Sequence, residues 1–259
     1  MCRDCGCEQA SQEHAHWVGG REVRHTHDRG HDHGGGHASR VVVEPRRILV
    51  GQSILAKNDA IANNNRSWFK SHGIQVLNLI SAPGSGKTLL LEKTVTHLAR
   101  ESRVVILTGD QEEEFDARRL RAVGAEVRQL NTGSSCHLDA SMIERQLGGF
   151  VRPVPQLLII ENVGNLVCPA AFYLGETMKV ALLSSTEGED KPSKYPLLFR
   201  EAGVVVLTKM DLAPHLDWDV ALCEKHIRRV NASAPILRLS ARTGEGLEPW
   251  LAFLRGRAA

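Results

Sequence analysis

The stretch Ser81-Ala82-Pro83-Gly84-Ser85-Gly86-Lys87-Thr88 limits the possible folds more than any other segment of this chain. It follows the apolar run Val76–Ile80 and precedes a helix-like pattern over residues 87–100. Glycines let backbone N–H groups turn inward on an anion, and a helix N-terminus aims positive partial charge at the same point. In that setting Gly84, Ser85 and Gly86 cradle the phosphates of a nucleotide, Lys87 neutralises the β- and γ-phosphates, and the Thr88 hydroxyl binds Mg2+. Ser81 stands where the usual phosphate-loop pattern has glycine.

The rest of the body has the texture such a loop requires. Further apolar runs occupy Val104–Leu107, Leu157–Ile160, Val180–Leu183, Val204–Leu207 and Ile236–Leu239. Helix-like patterns lie near 112–123, 138–149, 217–230 and 246–254. Continuous apolar strands separated by helices imply a sheet buried on both faces. The fold class expected is α/β: a P-loop NTPase with a mostly parallel sheet flanked by helices on both faces. Ahead of it, residues 46–72 carry an amphipathic pattern that stops at Gly73, one or two helices leading in. The expected divisions are a tail over 1–40, a helical lead-in over 41–73 and a nucleotide-binding domain over 74–259.

Several strand ends carry groups a nucleotide site needs. Leu157–Ile160 runs into Glu161-Asn162-Val163-Gly164: Glu161 is placed to hold Mg2+, and Gly164 to offer its N–H to a γ-phosphate. Asp110, beyond Val104–Leu107, is a second candidate for Mg2+; a solvated loop acid is the plainer reading of it. Thr208-Lys209-Met210-Asp211 resembles the Asn-Lys-x-Asp signature of GTPases, with Thr for Asn. An Asp carboxylate accepts two hydrogen bonds from guanine and finds no matching donor pair on adenine, while the Lys stem lies across the base. Ser240-Ala241 resembles the last GTPase motif, behind the guanine carbonyl. The alternative for Asp211 is a helix cap.

A second chemistry shares the chain. Residues 1–40 hold seven of the 12 histidines and three of the six cysteines, yet five Arg face six Asp and Glu, so the segment is no basic arm. Its Gly- and His-rich part, 8–40, has no apolar period and is expected to be disordered without metal. Cys2, Cys5 and Cys7 can wrap one soft or borderline ion, with the α-amino group completing a set that favours Ni2+. His25, His27, His31, His33 and His37 are candidates for weak Ni2+ or Zn2+ storage. In the body, Cys136, His137 and Cys168 offer thiolate and imidazole, suited to Zn2+, Ni2+ or copper and poor for Mg2+. A fourth ligand would come from water or a second subunit; the alternative is two unrelated core cysteines and a capping histidine. Cys223 reads as core. Clustered thiols fit metal binding in a reducing compartment better than disulfides.

The combination resembles one family, the hydrogenase-maturation nickel-insertion GTPases (HypB). The resemblance rests on Cys2-x-x-Cys5-Gly6-Cys7, the His-rich run, the loop 81–88, Gly109-Asp110, Cys136-His137-Leu138-Asp139-Ala140, Glu161 through Pro169, and Thr208 through Asp211. It implies a dimerising GTPase using GTP and Mg2+, which delivers Ni2+ to the large subunit of NiFe hydrogenase with a HypA-type partner. It also implies a high-affinity nickel site at the N-terminal cysteines and a second Ni2+ or Zn2+ site at Cys136, His137 and Cys168. The related urease nickel-insertion GTPases carry Cys-Pro-His, where this chain has Cys168-Pro169-Ala170. Two other readings stay open: a nickel storage or detoxification protein whose nucleotide site only sets oligomeric state, and an ATP-dependent kinase or synthetase.

Composition narrows the partners. A formal charge of +2 gives no support for nucleic-acid binding. No apolar run approaches the roughly 18 residues of a membrane span, and the N-terminus lacks an apolar signal core. A cytoplasmic location is expected.

Overall fold

A computed structural model describes residues 13–18, 21–26, 45–110, 115–133, 135–150 and 153–258. The chain divides into two compact units, Met1–Lys57 and Asn58–Ala259. In the first, strands β1 (Glu13–Val18) and β2 (Arg21–Thr26) pair antiparallel, with His14 opposite His25 and His16 opposite Val23. This differs from the irregular segment expected over 8–40. The local signal is Gly19-Gly20 between two short stretches that include Val18 and Val23, a pair suited to two-residue hairpin loops. Cys2, Cys5, Cys7, His27, His31, His33 and His37 lie outside the described residues.

Helix α1 (Pro45–Ser71) is continuous, and the chain turns at Gly73, with φ of 68°. Asn58, Ala62, Asn65 and Phe69 are buried, so the larger unit begins inside α1 rather than at residue 74. There follow β3 (Gln75–Ile80), α2 (Lys87–Leu98), β4 (Val104–Asp110), α3 (Phe115–Ala122), β5 (Glu126–Asn131), α4 (Ala140–Glu144), β6 (Leu157–Glu161) and α5 (Cys168–Ala171). The chain closes with β7 (Met178–Ser184), α6 (Lys191–Lys194), α7 (Pro196–Glu201), β8 (Ala202–Thr208), α8 (Val220–Val230), β9 (Ile236–Arg238) and α9 (Leu247–Ala258).

The seven strands β5-β4-β6-β3-β7-β8-β9 form one wholly parallel sheet. The side-chain period of two sorts their residues between faces. Leu77, Leu79, Ile106, Ile159 and Val206 pack with α2 and α9, around the buried Trp250. The other face is split. Val76, Leu107 and Ile160 pack with Phe69 of α1 and Ile143 of α4, whereas Ile80, Leu183 and Leu207 pack with Phe199 and Ile227 of α7 and α8. Between Val76 and Ile80, on that split face, sits the fully buried Asn78. Strand β5 escaped the sequence reading because an edge strand covered by little else lacks a continuous apolar run; most of its residues are only half-buried. The pattern over 138–149 resolves into the short α4 and a 3-10 turn, Leu147–Phe150. Asp139 starts α4, its carboxylate accepting from the Met142 N–H at 2.9 Å.

Candidate functional site

β3 lies between β6 and β7, so the loop 81–88 opens at the carboxyl ends of the central strands, where parallel sheets form ligand crevices. Gly86 caps α2 with φ of 93°, a left-handed conformation that a side chain would strain. Ser81 explains its own departure from glycine. Its buried hydroxyl accepts from Lys87 Nζ at 3.0 Å and from Ser85 Oγ, while donating to the Ala82 carbonyl. The lysine is thus held inside the loop. Burial keeps its ammonium below the ordinary value, against the opposing pull of Glu161.

Parallel pairing sets Leu79 and Thr108 in register with Glu161, which brings the end of β6 beside the loop. Thr88 Oγ1 donates to Glu161 Oε1 at 2.8 Å. Burial pushes the Glu161 carboxyl up to about 7, with Lys87 and Thr88 opposing. Its second oxygen, Oε2, is buried with no hydrogen-bond partner among the described residues, as is Thr108 Oγ1. Unpaired carboxylate oxygen beside a threonine hydroxyl is a donor set for a hard cation such as Mg2+. Gly164 closes the cleft. A Cβ there would come within 3.0 to 3.1 Å of Pro83, tighter than ordinary contact, so glycine favours the close approach of the loop after β6 to the phosphate loop.

Asp110 ends β4, its backbone paired with Asn131, but its side chain lies outside the described set. Among the described residues the cleft includes Asp116, which the sequence reading passed over. Nothing in its spacing marks it; α3 carries it to the cleft.

At the end of β8, Thr208 Oγ1 donates to the Ser85 carbonyl at 2.7 Å, fastening that strand to the phosphate loop. Lys209 has φ of 55°, a non-glycine residue in the left-handed region, a conformation that concentrates at functional sites. Its carbonyl accepts from Ser185 Oγ at 2.7 Å. Met210 N–H donates to the Leu239 carbonyl, which sets Asp211 beside Ser240-Ala241. The 3-10 turn that follows, Ala213–His215, starts at Leu212 without a side-chain cap, so Asp211 is not used in capping it.

The soft-donor residues also converge. One ligand atom from each of Cys136, His137 and Cys168 lies within 4.8 Å of the other two. Both thiols are half-buried and outside any disulfide, and the buried His137 ring lies against Phe172, centroids 3.9 Å apart. The three side chains are therefore neighbours rather than scattered positions, and the cap of α4 is Asp139, not His137. Sulfur and nitrogen donors suit Ni2+ or Zn2+. Cys223, by contrast, is fully buried in α8, its thiol pushed up to about 12 by burial.

Fold and site together define a P-loop nucleotide-binding protein with a thiol–imidazole cluster on the same unit. The family model described as CobW/HypB/UreG, nucleotide-binding domain, matches residues 75–238. The hydrogenase maturation factor HypB of Azotobacter chroococcum is 51% identical over 211 residues, 82% of this chain and 69% of that one. The Escherichia coli K12 factor is 46% identical over 226 residues, 87% and 77% of the two chains. The crystal structure of the Archaeoglobus fulgidus factor superposes with a TM-score of 0.74 at 39% identity, covering 79% of this chain and all of that one. That of Helicobacter pylori HypB in complex with nickel gives 0.73 at 36% identity, covering 78% and 95%. The chain belongs to the HypB hydrogenase maturation factors.

Proposed function

We propose that this protein is a GTP-hydrolysing nickel metallochaperone that delivers Ni2+ to the large subunit of NiFe hydrogenase. One observation carries the reading: the segment from Glu161 to Cys168 begins in the phosphate cleft and ends in the thiol–imidazole cluster.

Lys87 balances the β- and γ-phosphate charge, and the Gly164 N–H meets the γ-phosphate. Thr88 and Glu161, with Asp110, hold Mg2+, whose contribution when bound is to neutralise charge on the phosphates. Positioning and charge neutralisation drive attack of water on the γ-phosphoryl. Asp211 reads guanine, the Lys209 stem covers the base, and Ser240-Ala241 backs its carbonyl. Nickel is cargo. Cys2, Cys5 and Cys7 take it with high affinity, the His-rich run stores it weakly, and Cys136, His137 and Cys168 hold Ni2+ or Zn2+ before transfer. Two copies close on GTP, and a HypA-type partner shares the handover in the cytoplasm.

The test is maturation in cells. Lys87→Ala with the tail intact blocks hydrogenase maturation, while deletion of residues 8–40 lowers nickel capacity and spares maturation at ample nickel. Normal maturation with Lys87→Ala, together with lost nickel tolerance on deletion, would establish the storage function in its place.

A further inference from the structure

Between the phosphate cleft and the thiol–imidazole cluster lies a buried junction, whose near end, Asn162 and Gly109, lines the cleft. Asn162 follows Glu161 and is almost wholly buried. Its backbone N–H donates to the Leu79 carbonyl at 3.1 Å, which extends the β6–β3 pairing by one residue. The side chain is used at both ends. Oδ1 accepts from the Val163 N–H at 3.0 Å and from the Leu138 N–H at 3.3 Å. Nδ2 donates to Asn78 Oδ1 at 3.2 Å.

Each branch leads to His137. The first is direct, because Leu138 is the next residue. The second runs through Asn78, whose Nδ2 donates to Glu176 Oε1 at 3.4 Å. Glu176 Oε2 in turn accepts from the Leu174 N–H at 2.7 Å. Leu174 lies two residues beyond Phe172, the ring against His137. From α1, Asn65 Nδ2 donates to the carbonyls of both Ala140 and Leu174, tying the two branches together at their far end.

Leu138 meets the cleft a second time. It is fully buried, and its side chain fills the space beside Gly109, where a Cβ would stand 2.8 to 3.0 Å from three of its carbons. Gly109 lines the cleft. Leu138 is therefore held on its backbone by the residue after Glu161 and on its side chain by the residue before Asp110. Such a packed, hydrogen-bonded interior does not deform by degrees. A shift of the loop after β6 either carries Leu138 with it or leaves buried polar groups unpaired.

We infer that Asn162 is the positioning residue that couples nucleotide state to metal affinity, with Leu138 as the part it moves. This rests on the proposed nickel-carrying GTPase function and assigns its regulation to named atoms. When the segment 161–164 closes on a γ-phosphate, Asn162 carries the Leu138 backbone and the Asn78–Glu176 branch with it. His137 then changes position relative to Cys136 and Cys168. By linkage, metal at the cluster alters guanine-nucleotide affinity by the same factor.

The experiment uses the full chain carrying Cys2→Ala, Cys5→Ala and Cys7→Ala, so that thiolate-to-nickel charge-transfer absorption comes from Cys136 and Cys168. Ni2+ is titrated with GDP bound and with a non-hydrolysable GTP analogue bound, and the ratio of the two affinities is the readout. A ratio of about 5 or more is expected in this parent. Asn162→Ala removes the acceptor, and Gly109→Ala displaces Leu138 from the other strand. Each is expected to bring the ratio to within about twofold of one, leaving nickel affinity in the GDP state near the parent's. A folded variant of either kind that keeps the parent's ratio overturns the assignment. A parent whose nickel affinity ignores the nucleotide overturns the function on which it rests. If Asn162→Ala does not fold, Gly109→Ala decides, because it removes no polar group from the junction.

Discussion

The phosphate cleft and the thiol–imidazole cluster belong to the same unit but are built in opposite ways. The phosphate loop of the cleft is largely local: Ser81, Ser85 and Lys87 bond one another within seven residues, and Glu161 and Thr208 join it from the ends of β6 and β8. Its donors are oxygens. The cluster joins residues 136–137 to residue 168, and its surroundings are held by side chains from α1, β3 and the loops after β6 and α5. Its donors are sulfur and nitrogen. The two donor sets suit different ions, oxygen a hard cation and sulfur with nitrogen a softer one. A locally built site also tolerates change elsewhere, whereas an assembled one responds to it.

That contrast can be broken by experiment. The largest effect is expected from Lys87→Met, which removes the loop's fixed positive charge. GTP turnover measured by phosphate release should fall about 10²- to 10³-fold, with nickel absorption at Cys136 and Cys168 in the GDP state unchanged. Loss of that absorption would show that the two regions are not built separately.

Next in size is Asp211→Asn. Two hydrogen bonds to a carboxylate are replaced by weaker or mismatched ones, so affinity for GDP should drop roughly 10- to 100-fold. Xanthine nucleotides, whose C2 carbonyl accepts where the guanine amine donates, should gain, because the Asn amide can donate to it. Unaltered base preference in competition binding would remove the guanine assignment.

Cys168→Ser tests the other side. Replacing a soft ligand by a hydroxyl should weaken Ni2+ binding at the cluster by about tenfold, while GDP affinity in metal-free protein stays within about twofold. A parallel fall in nucleotide affinity would show that the cleft needs the cluster in order to form.

The smallest effect concerns Glu176, in the buried layer between the two sites. Burial holds its carboxyl above the ordinary 4.5. Between that value and its folded value the native state keeps a proton that the unfolded chain has lost. The residue's contribution to stability therefore falls as pH rises through that window. Urea unfolding of Glu176→Gln should show a shallower loss of stability above pH 5 than the parent. Identical slopes would mean that the burial cost is relieved by a group other than the layer described.

Much of this was legible in order along the chain. Strands β3, β4, β6, β7 and β8 announce themselves because a parallel sheet covered on both faces needs uninterrupted apolar runs. Glu161 was findable because it directly ends such a run. Strand β5 was not, since an edge position leaves Arg128 and Gln129 half-exposed and polar. The short helices α6 and α7 were not, since four to six residues make too little period to recognise. Asn162 and Gly109 were visible only as members of motifs. Their partners, Leu138 and Asn78, are 24 and 84 residues from Asn162 in the chain.

What the sequence determined by itself is the set of local motifs: a phosphate loop between strand and helix, a strand end that resembles a guanine-reading signature, and short groups of cysteine and histidine. Backbone geometry and side-chain donor type act over a few residues and can be read there. What only the tertiary structure decided is which of these groups share a neighbour. Parallel register set Glu161 against Thr88, and the split face of the sheet left Asn78 buried where its amide had to find Asn162 and Glu176. Most buried polar groups are paired, and the partner is chosen by packing rather than by proximity along the chain.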